Sequence, residues 1–297
     1  MANAEHSFGG DWTETKLDAV GKYFLAYMNI LKSRPYNTIY VDAFAGTGYV
    51  DNVATDEIGF PELTSGEGKA YIEGSVIRAL QTPTPFGRYL FIDKSKLHVS
   101  SLTNLVERFE ELKSRIKVVR GDANVILQDL CTKTDWKSNR AVIFLDPYGM
   151  QVDWTTLEAI ASTNAVDLWY LFPLGVAVNR LLAKDGEVPD SWKRSLNRTF
   201  GTDTWYGDFY RTRVDVGLFD SAEVTKKVAN FDAISDYFVK RLGEIFEGGV
   251  AKNPLWLKNS TGCPLYLLCF ATANPNAPAA IKIATHILGT SGKRKKM

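Results

Sequence analysis

At 297 residues, 45% of them hydrophobic, the chain is long enough for one large domain, or one domain with a sizeable insertion, around a substantial core. A formal net charge of +1 excludes the global basic excess of a protein that coats nucleic acid and leaves open only a local basic face. Three scattered cysteines, Cys131, Cys263 and Cys269, lack partner histidines, so neither a disulfide framework nor a metal site is expected and the thiols are read as reduced.

The first thirty residues carry Asp11, Glu14, Lys16, Asp18 and Lys22, and no stretch approaches 18 uninterrupted apolar residues. A cytoplasmic chain without membrane contact is expected. Thr13 as N-cap and the stripe Leu17, Val20, Phe24, Tyr27, Met28 and Leu31 predict a helix over 12–33 that covers one sheet face. The run Ile39-Tyr-Val-Asp42-Ala-Phe-Ala-Gly46-Thr-Gly48-Tyr49 follows. Tyr40 and Val41 favour a strand, and the glycines at its end permit positive φ and a close ligand approach. Open parallel sheets bind small molecules at that edge; the bland alternative is an ordinary strand-to-loop turn.

Residues 51–72 are polar and aperiodic, which predicts a long lid or binding loop before a helix starting near Ser75. Three further strand-like runs end in polar or acidic residues: Tyr89 to Asp93, Ile116 to Asp122, and Ala141 to Asp146 with Pro147-Tyr148-Gly149 beyond. Helical spacing lies between them, through Leu97, Leu102, Leu105, Val106 and Phe109, and through Val125, Ile126, Leu127 and Leu130. Alternating strand and helix imply a parallel sheet with right-handed crossovers. Val166 to Phe172 reads as a fifth strand ending at Pro173-Leu-Gly175. Beyond it the tidy rhythm stops, and the aromatic cluster Trp192, Phe200, Trp205, Tyr206, Phe209 and Tyr210 reads either as core or as a base-stacking platform. A helix over Phe231 to Phe246 and strands near Leu255 to Lys258 and Leu265 to Thr272 complete the pattern. The basic cluster at the end reads as a solubilising tail or a phosphate-binding arm.

In this order VDAFAGTG, FID, GDA and DPYG resemble the cofactor and catalytic motifs of class I S-adenosylmethionine-dependent methyltransferases. More narrowly, WTETKLDAVGKY, EGS at 73–75, LDPYGM and FPLGVAVNR are similar to the three-Cys-motif partner proteins, the TcmP family. The resemblance runs from about Trp12 to Arg180, with a looser echo in Pro264 to Pro275. It implies an α/β, Rossmann-like class I methyltransferase fold with a mostly parallel sheet, S-adenosyl-L-methionine as cofactor, and a three-Cys-motif protein as partner. The corresponding organisation is a Rossmann-like domain over 1–175 and 226–290, a helical and aromatic insertion over 176–225 on the substrate side, and a basic tail over 291–297.

The same resemblance implies the site. Asp42, Ala43, Phe44, Gly46 and Gly48 would hold the methionine part, and Asp93 with Lys94 the ribose hydroxyls. The interval from Gly48 to Asp93 exceeds the usual ~20 residues, an excess that the 51–72 loop explains. Asp122 and Ala123 would meet the adenine, with a helix cap as the alternative for Asp122. Asp146 and Pro147 would orient an amino nitrogen and Tyr148 would stack on an extruded base, the logic of amino-methylating nucleic-acid enzymes. Here the second proline of that motif is missing and the aromatic stands one position earlier, so nucleic acid as the acceptor is an analogy. Lys16, Tyr23, Asn179 and Arg180 match family positions. His6, His98 and His286 have no carboxylate pattern around them and none is assigned to catalysis. Two other readings stay open: a sensor that binds S-adenosylmethionine or a nucleotide without transfer, and an interaction subunit.

Overall fold

The computed structural model describes residues 10–50, 72–216 and 221–291. The predicted lid over 51–72, apart from Ile72, and the tail from Gly292 lie outside the described residues, as does His6.

The first helix, α1 (Gly10–Leu31), begins before the expected N-cap, and Thr13 is buried inside it. Leu17, Val20, Phe24, Tyr27 and Met28 form its buried stripe. The central strand β1 (Asn37–Asp42) is buried from Thr38 onward, as a strand covered on both faces must be. The pair β2 (Tyr49–Val50) and β3 (Ile72–Glu73) is antiparallel and brackets the segment at 51–71. Helix α2 (Ser75–Leu80) follows, and then β4 (Arg88–Asp93), α3 (Lys96–Val106), β5 (Ile116–Arg120) and α4 (Ala123–Lys133). The chain continues through β6 (Asn139–Leu145), α5 (Trp154–Ala161) and β7 (Val166–Phe172). All seven residues of β7 are buried.

After β7 a π-helical turn over Leu174–Val178 leads into α6 (Asn179–Leu181), α7 (Asp190–Phe200) and α8 (Trp205–Phe209). The insertion is not wholly helical: β8 (Tyr210–Val216) and β9 (Ser221–Lys227) form an antiparallel hairpin. Its alternation of Thr212, Val214 and of Val224 with polar residues was a readable strand signal. Of the aromatic cluster, Phe200, Trp205, Phe209 and Tyr210 are core, whereas Trp192 is exposed. Helix α9 (Phe231–Ile245), β10 (Leu255–Lys258), β11 (Pro264–Thr272) and α10 (Pro278–Thr290) complete the fold.

The main sheet has the order β10-β11-β7-β6-β1-β4-β5. Strands β5, β4, β1, β6 and β7 are parallel, and β11 runs antiparallel to both β7 and β10. Side chains alternate between two cores. Tyr40, Val142, Phe144 and Trp169 pack under α1, α2, α3 and α10, while Ile39, Val41, Ile143 and Leu168 pack under α4, α5, α7 and α9. From β1 the chain steps outward through β4 to β5 and then returns to β6 on the other side of β1. That reversal makes a crevice at the carboxyl ends of β1 and β6, where open α/β sheets take ligands.

Candidate site at the carboxyl edge of the sheet

The turn after β1 is sewn to both neighbouring strands. The Ala43 amide donates to the Phe144 carbonyl on β6 at 3.1 Å, and the Ala45 amide donates to Ile92 on β4 at 3.0 Å. Gly46 and Gly48 both adopt positive φ, at 57° and 84°. A Cβ at Gly48 would stand 2.4 Å from the Leu105 side chain, whereas one at Gly46 would meet nothing within 4 Å among the described residues. Positive φ favours glycine at both positions, and among the described residues Gly46 presents its backbone uncovered.

Asp42 is fully buried beneath this turn. Its carboxylate accepts from Ser75 Oγ at 2.5 Å, Tyr40 Oη at 3.3 Å and the Phe44 amide at 3.3 Å. Burial pushes its pKa up to about 7. The Ser75 hydrogen bond opposes that rise, the charge of Asp146 adds to it, and the Phe44 and Tyr40 hydrogen bonds oppose it. With these three donors on a sealed carboxylate, Asp42 acts on the turn from below. Ser75, from the EGS motif, is the side chain that closes it in.

Asp93, at the end of β4, accepts from the Gly46 amide at 3.0 Å and the Ser95 amide at 2.7 Å, and lies 3.1 Å from His98 Nδ1. His98 therefore does have a carboxylate partner, five residues upstream across the cap of α3. Lys94 is exposed, with its carbonyl accepting from Arg120 Nε at 3.3 Å. Asp122 caps α4 by accepting from the Asn124 and Val125 amides at 2.9 and 3.4 Å, and Ala123 is buried at the start of that helix. Leu97 and Val125, which the helical spacing included, are 78% and 67% exposed at the starts of α3 and α4.

Asp146, just past β6, pairs through Oδ2 with the ammonium of Lys16 from α1. Lys16 Nζ also lies 5.5 Å from the Trp12 ring centroid and 5.9 Å from that of Phe144. Trp12 stacks on Tyr266 of β11 at 5.2 Å. Burial raises the Tyr266 pKa, the charges of Asp146 and Tyr148 raise it further, and Arg180 lowers it. Tyr148 is 58% exposed, its amide donating to Gln151 Oε1 at 3.0 Å. The π-helical turn is seated tightly on the start of β11: an added Cβ on Gly175 would stand 1.9 Å from the Pro264 carbonyl oxygen.

The edge thus brings together Asp42, Gly46, Gly48 and Asp93 around one turn, and Asp146, Pro147 and Tyr148 beside it with Lys16. Tyr23 goes elsewhere. It donates to buried Asp167 at 2.6 Å. Burial pushes Asp167 up to about 6, against hydrogen bonds from Thr272 and Tyr23 and the charge of Arg140. Asn179 accepts from Lys227 at 2.6 Å. A separate cavity of about 460 Å³, lined among others by Asp153, Trp154 and Arg198, lies between α5 and α7 and shares no residue with the glycine turn or the DPYG segment. Among the described residues no group of His, Cys, Asp or Glu forms a metal site and no helix is long and apolar enough to cross a membrane.

No family model matches the chain, and neither does any curated protein. Several solved structures are similar to it at low identity. One is protein LPL1258 of Legionella pneumophila, at 13% identity over 95% of this chain and 93% of that one, with a TM-score of 0.47. A spermidine synthase in complex with the transition-state analogue AdoDATO matches at 10% identity over 92% of this chain and 64% of that one, TM-score 0.42. A methyltransferase from Geobacter sulfurreducens matches at 13% identity over 70% and 78%, TM-score 0.30. The chain itself has a Rossmann-like α/β fold, with a mostly parallel seven-stranded sheet and helices on both faces. The narrower likeness to three-Cys-motif partner proteins rests on the sequence motifs alone.

Proposed function

We propose that this chain is an S-adenosylmethionine-dependent methyltransferase acting on an amino nitrogen of nucleic acid. The observation that carries the reading is the placement of Asp42 and Asp146 at the ends of adjacent strands β1 and β6, at the point where the sheet reverses its order. The residues present suit the cofactor. Gly46 offers backbone that no described residue covers, Asp93 lies at the end of the neighbouring strand, and Leu97 and Val125 lie exposed next along the edge.

When bound, S-adenosylmethionine supplies a methyl group already activated on its sulfonium, so no covalent enzyme intermediate is needed. The residues of the chain position the partners and exclude water. Ala43, Phe44, Gly46 and Gly48 cradle the methionine end, on a turn that buried Asp42 holds in shape. Asp93, fixed by Gly46 and Ser95, receives the ribose hydroxyls on its remaining lone pairs, with Lys94 beside it. Asp122 and Ala123 border the adenine. Lys16 takes Oδ2 of Asp146 and leaves Oδ1 for a hydrogen bond from the acceptor's NH2; the Pro147 carbonyl takes the second. Exposed Tyr148 stacks on the extruded base.

Calorimetry with S-adenosylmethionine and S-adenosylhomocysteine tests the cofactor half of this reading. The parent should bind both ligands, and Asp93→Ala should bind at least about tenfold more weakly, roughly 1.4 kcal/mol. Failure of the parent to bind either ligand would remove the cofactor assignment.

A further inference from the structure

We infer that Asn124 and Gln151 are positioning residues that tie Tyr148, on the acceptor side, to the turn bordering the adenine, so that cofactor binding at Asp122 and Ala123 is felt at Tyr148. The inference rests on the reading just given and deepens it.

Asn124 stands in the first turn of α4, directly after Asp122 and Ala123, and its amide donates to Asp122 Oδ1 at 2.9 Å. Its side chain reaches a segment 27 residues further along the chain. Nδ2 donates to the Gln151 carbonyl at 2.9 Å, and Oδ1 accepts from the Asp153 amide at 2.9 Å and from Thr156 Oγ1 at 2.8 Å. The set needs a carboxamide, because a carboxylate in the same place could accept both bonds but could not donate to the carbonyl.

This contact does a task that α5 leaves undone. Asp153 precedes that helix without a side-chain cap bond and pairs with Arg198 at 3.0 Å instead. The amides of a helix start require partners, and α4 supplies one of them through Asn124. Gln128, one turn further along α4, donates to Thr156 Oγ1 at 3.0 Å. The start of α5 and the segment leading into it are thus held on α4 rather than by local capping.

Gln151 carries the tie onward. Its Oε1 accepts from the Tyr148 amide at 3.0 Å, and its own amide donates to the Gly149 carbonyl at 2.9 Å. The ring of Pro147 fixes φ one residue earlier, so the bond on the Tyr148 amide sets the remaining torsion of that peptide plane and with it the root of the Tyr148 side chain. That side chain is 58% exposed, free of a packed surface that would otherwise hold it in one rotamer. A ligand shifts such an equilibrium by favouring one arrangement over the others. Cofactor contacts at Asp122 and Ala123 favour one setting of the first turn of α4, and Asn124 and Gln151 pass it to Tyr148 through direct hydrogen bonds.

The test places fluorotyrosine at position 148 of the full chain and follows its fluorine NMR signal during titration with S-adenosylhomocysteine, with calorimetry and a thermal melt on each protein. The parent signal should move as the ligand binds. In Asn124→Asp, which keeps the accepted bonds and loses the donated one, and in Gln151→Ala, the movement at saturation should fall to about half or less, with ligand affinity kept within about tenfold of the parent. Gln151→Glu, whose carboxylate still accepts from the Tyr148 amide, should restore it. If Asn124→Asp melts far below the parent, Gln151→Ala decides, since Gln151 is exposed. Undiminished movement in Gln151→Ala overturns the inference, as does a Gln151→Glu signal no better than that of Gln151→Ala, or a parent that binds the ligand without any movement. Each of these faults the tie alone. A parent that does not bind S-adenosylhomocysteine faults the cofactor reading, and the tie falls with it.

Discussion

Lys16 and Asp146 meet in an ion pair across 130 residues of chain, with side chains only 7% and 22% exposed. Lys16 comes from the helix that covers the sheet, and Asp146 from the end of a central strand. The pair therefore locks the covering layer onto the edge where the site is built. Because Lys16 is the more deeply buried partner, its charge is tolerated only while Asp146 compensates it.

Removing one partner should be costly. Asp146→Leu leaves the ammonium of Lys16 buried without its counter-ion, and a loss toward the lower end of ~3 to 5 kcal/mol is expected, since water still reaches the aspartate side. The double change Lys16→Met/Asp146→Leu should recover most of it. Urea unfolding of the parent, both single variants and the double variant closes the cycle. A double variant as unstable as the sum of the singles would mean the pair is not coupled.

The pH dependence of stability follows from Asp42. Burial pushes its folded pKa from the ordinary 3.8 up to about 7. In that window the folded chain holds the proton more tightly than the unfolded chain, so stability falls as pH rises from about 4 to about 7 and is flat above. Asp167, pushed up to about 6, acts in the same direction over a narrower window. Asp42→Asn should flatten the decline of melting temperature between pH 4 and 7 relative to the parent. Parallel curves for the two proteins would refute this role for Asp42.

Gly175 is required by contact rather than by φ. A methyl group there would stand 1.9 Å from the carbonyl oxygen of Pro264 and 3.0 Å from its carbon, and neither backbone atom can rotate away. Gly175→Ala should destabilise by about 1 to 3 kcal/mol as the turn lifts off β11. Lifting that turn disturbs the wall around Tyr266, so substrate affinity should suffer more than cofactor affinity. Chemical denaturation and paired binding measurements check both parts.

Local pattern made the sheet legible. The runs around Val41, Ile143 and Leu168 are apolar because both faces are covered, β4 and the edge strand β5 are less buried, and Asp42, Asp93, Asp122 and Asp146, at or just past four strand ends, mark one edge. What escaped is whatever depends on contacts distant in sequence. Nothing near Lys16 announces Asp146, and nothing near Asp42 announces Ser75, because the fold alone brings each pair together. His98 was missed for a subtler reason: its partner stands five residues upstream in the preceding strand, outside any helical spacing. Leu97 and Val125 satisfied the helical period yet are exposed, since the first turns of α3 and α4 overhang the sheet edge. Helical expectation also hid β8 and β9, whose period of two was present in the sequence.

Transfer of a labelled methyl group from S-adenosylmethionine, assayed over DNA, RNA and a three-Cys-motif partner protein, tests the central claim most directly. The parent should label nucleic acid on an amino nitrogen. Asp146→Ala should abolish labelling while cofactor affinity stays within about tenfold, roughly 1.4 kcal/mol, because Asp146 faces the acceptor whereas Asp93 and the glycine turn face the cofactor. Tyr148→Ala should lose activity partially, in line with ~1 to 3 kcal/mol for stacking on one base. A parent that binds the cofactor tightly and labels none of the three, or an Asp146→Ala variant that labels as fast as the parent, would contradict it.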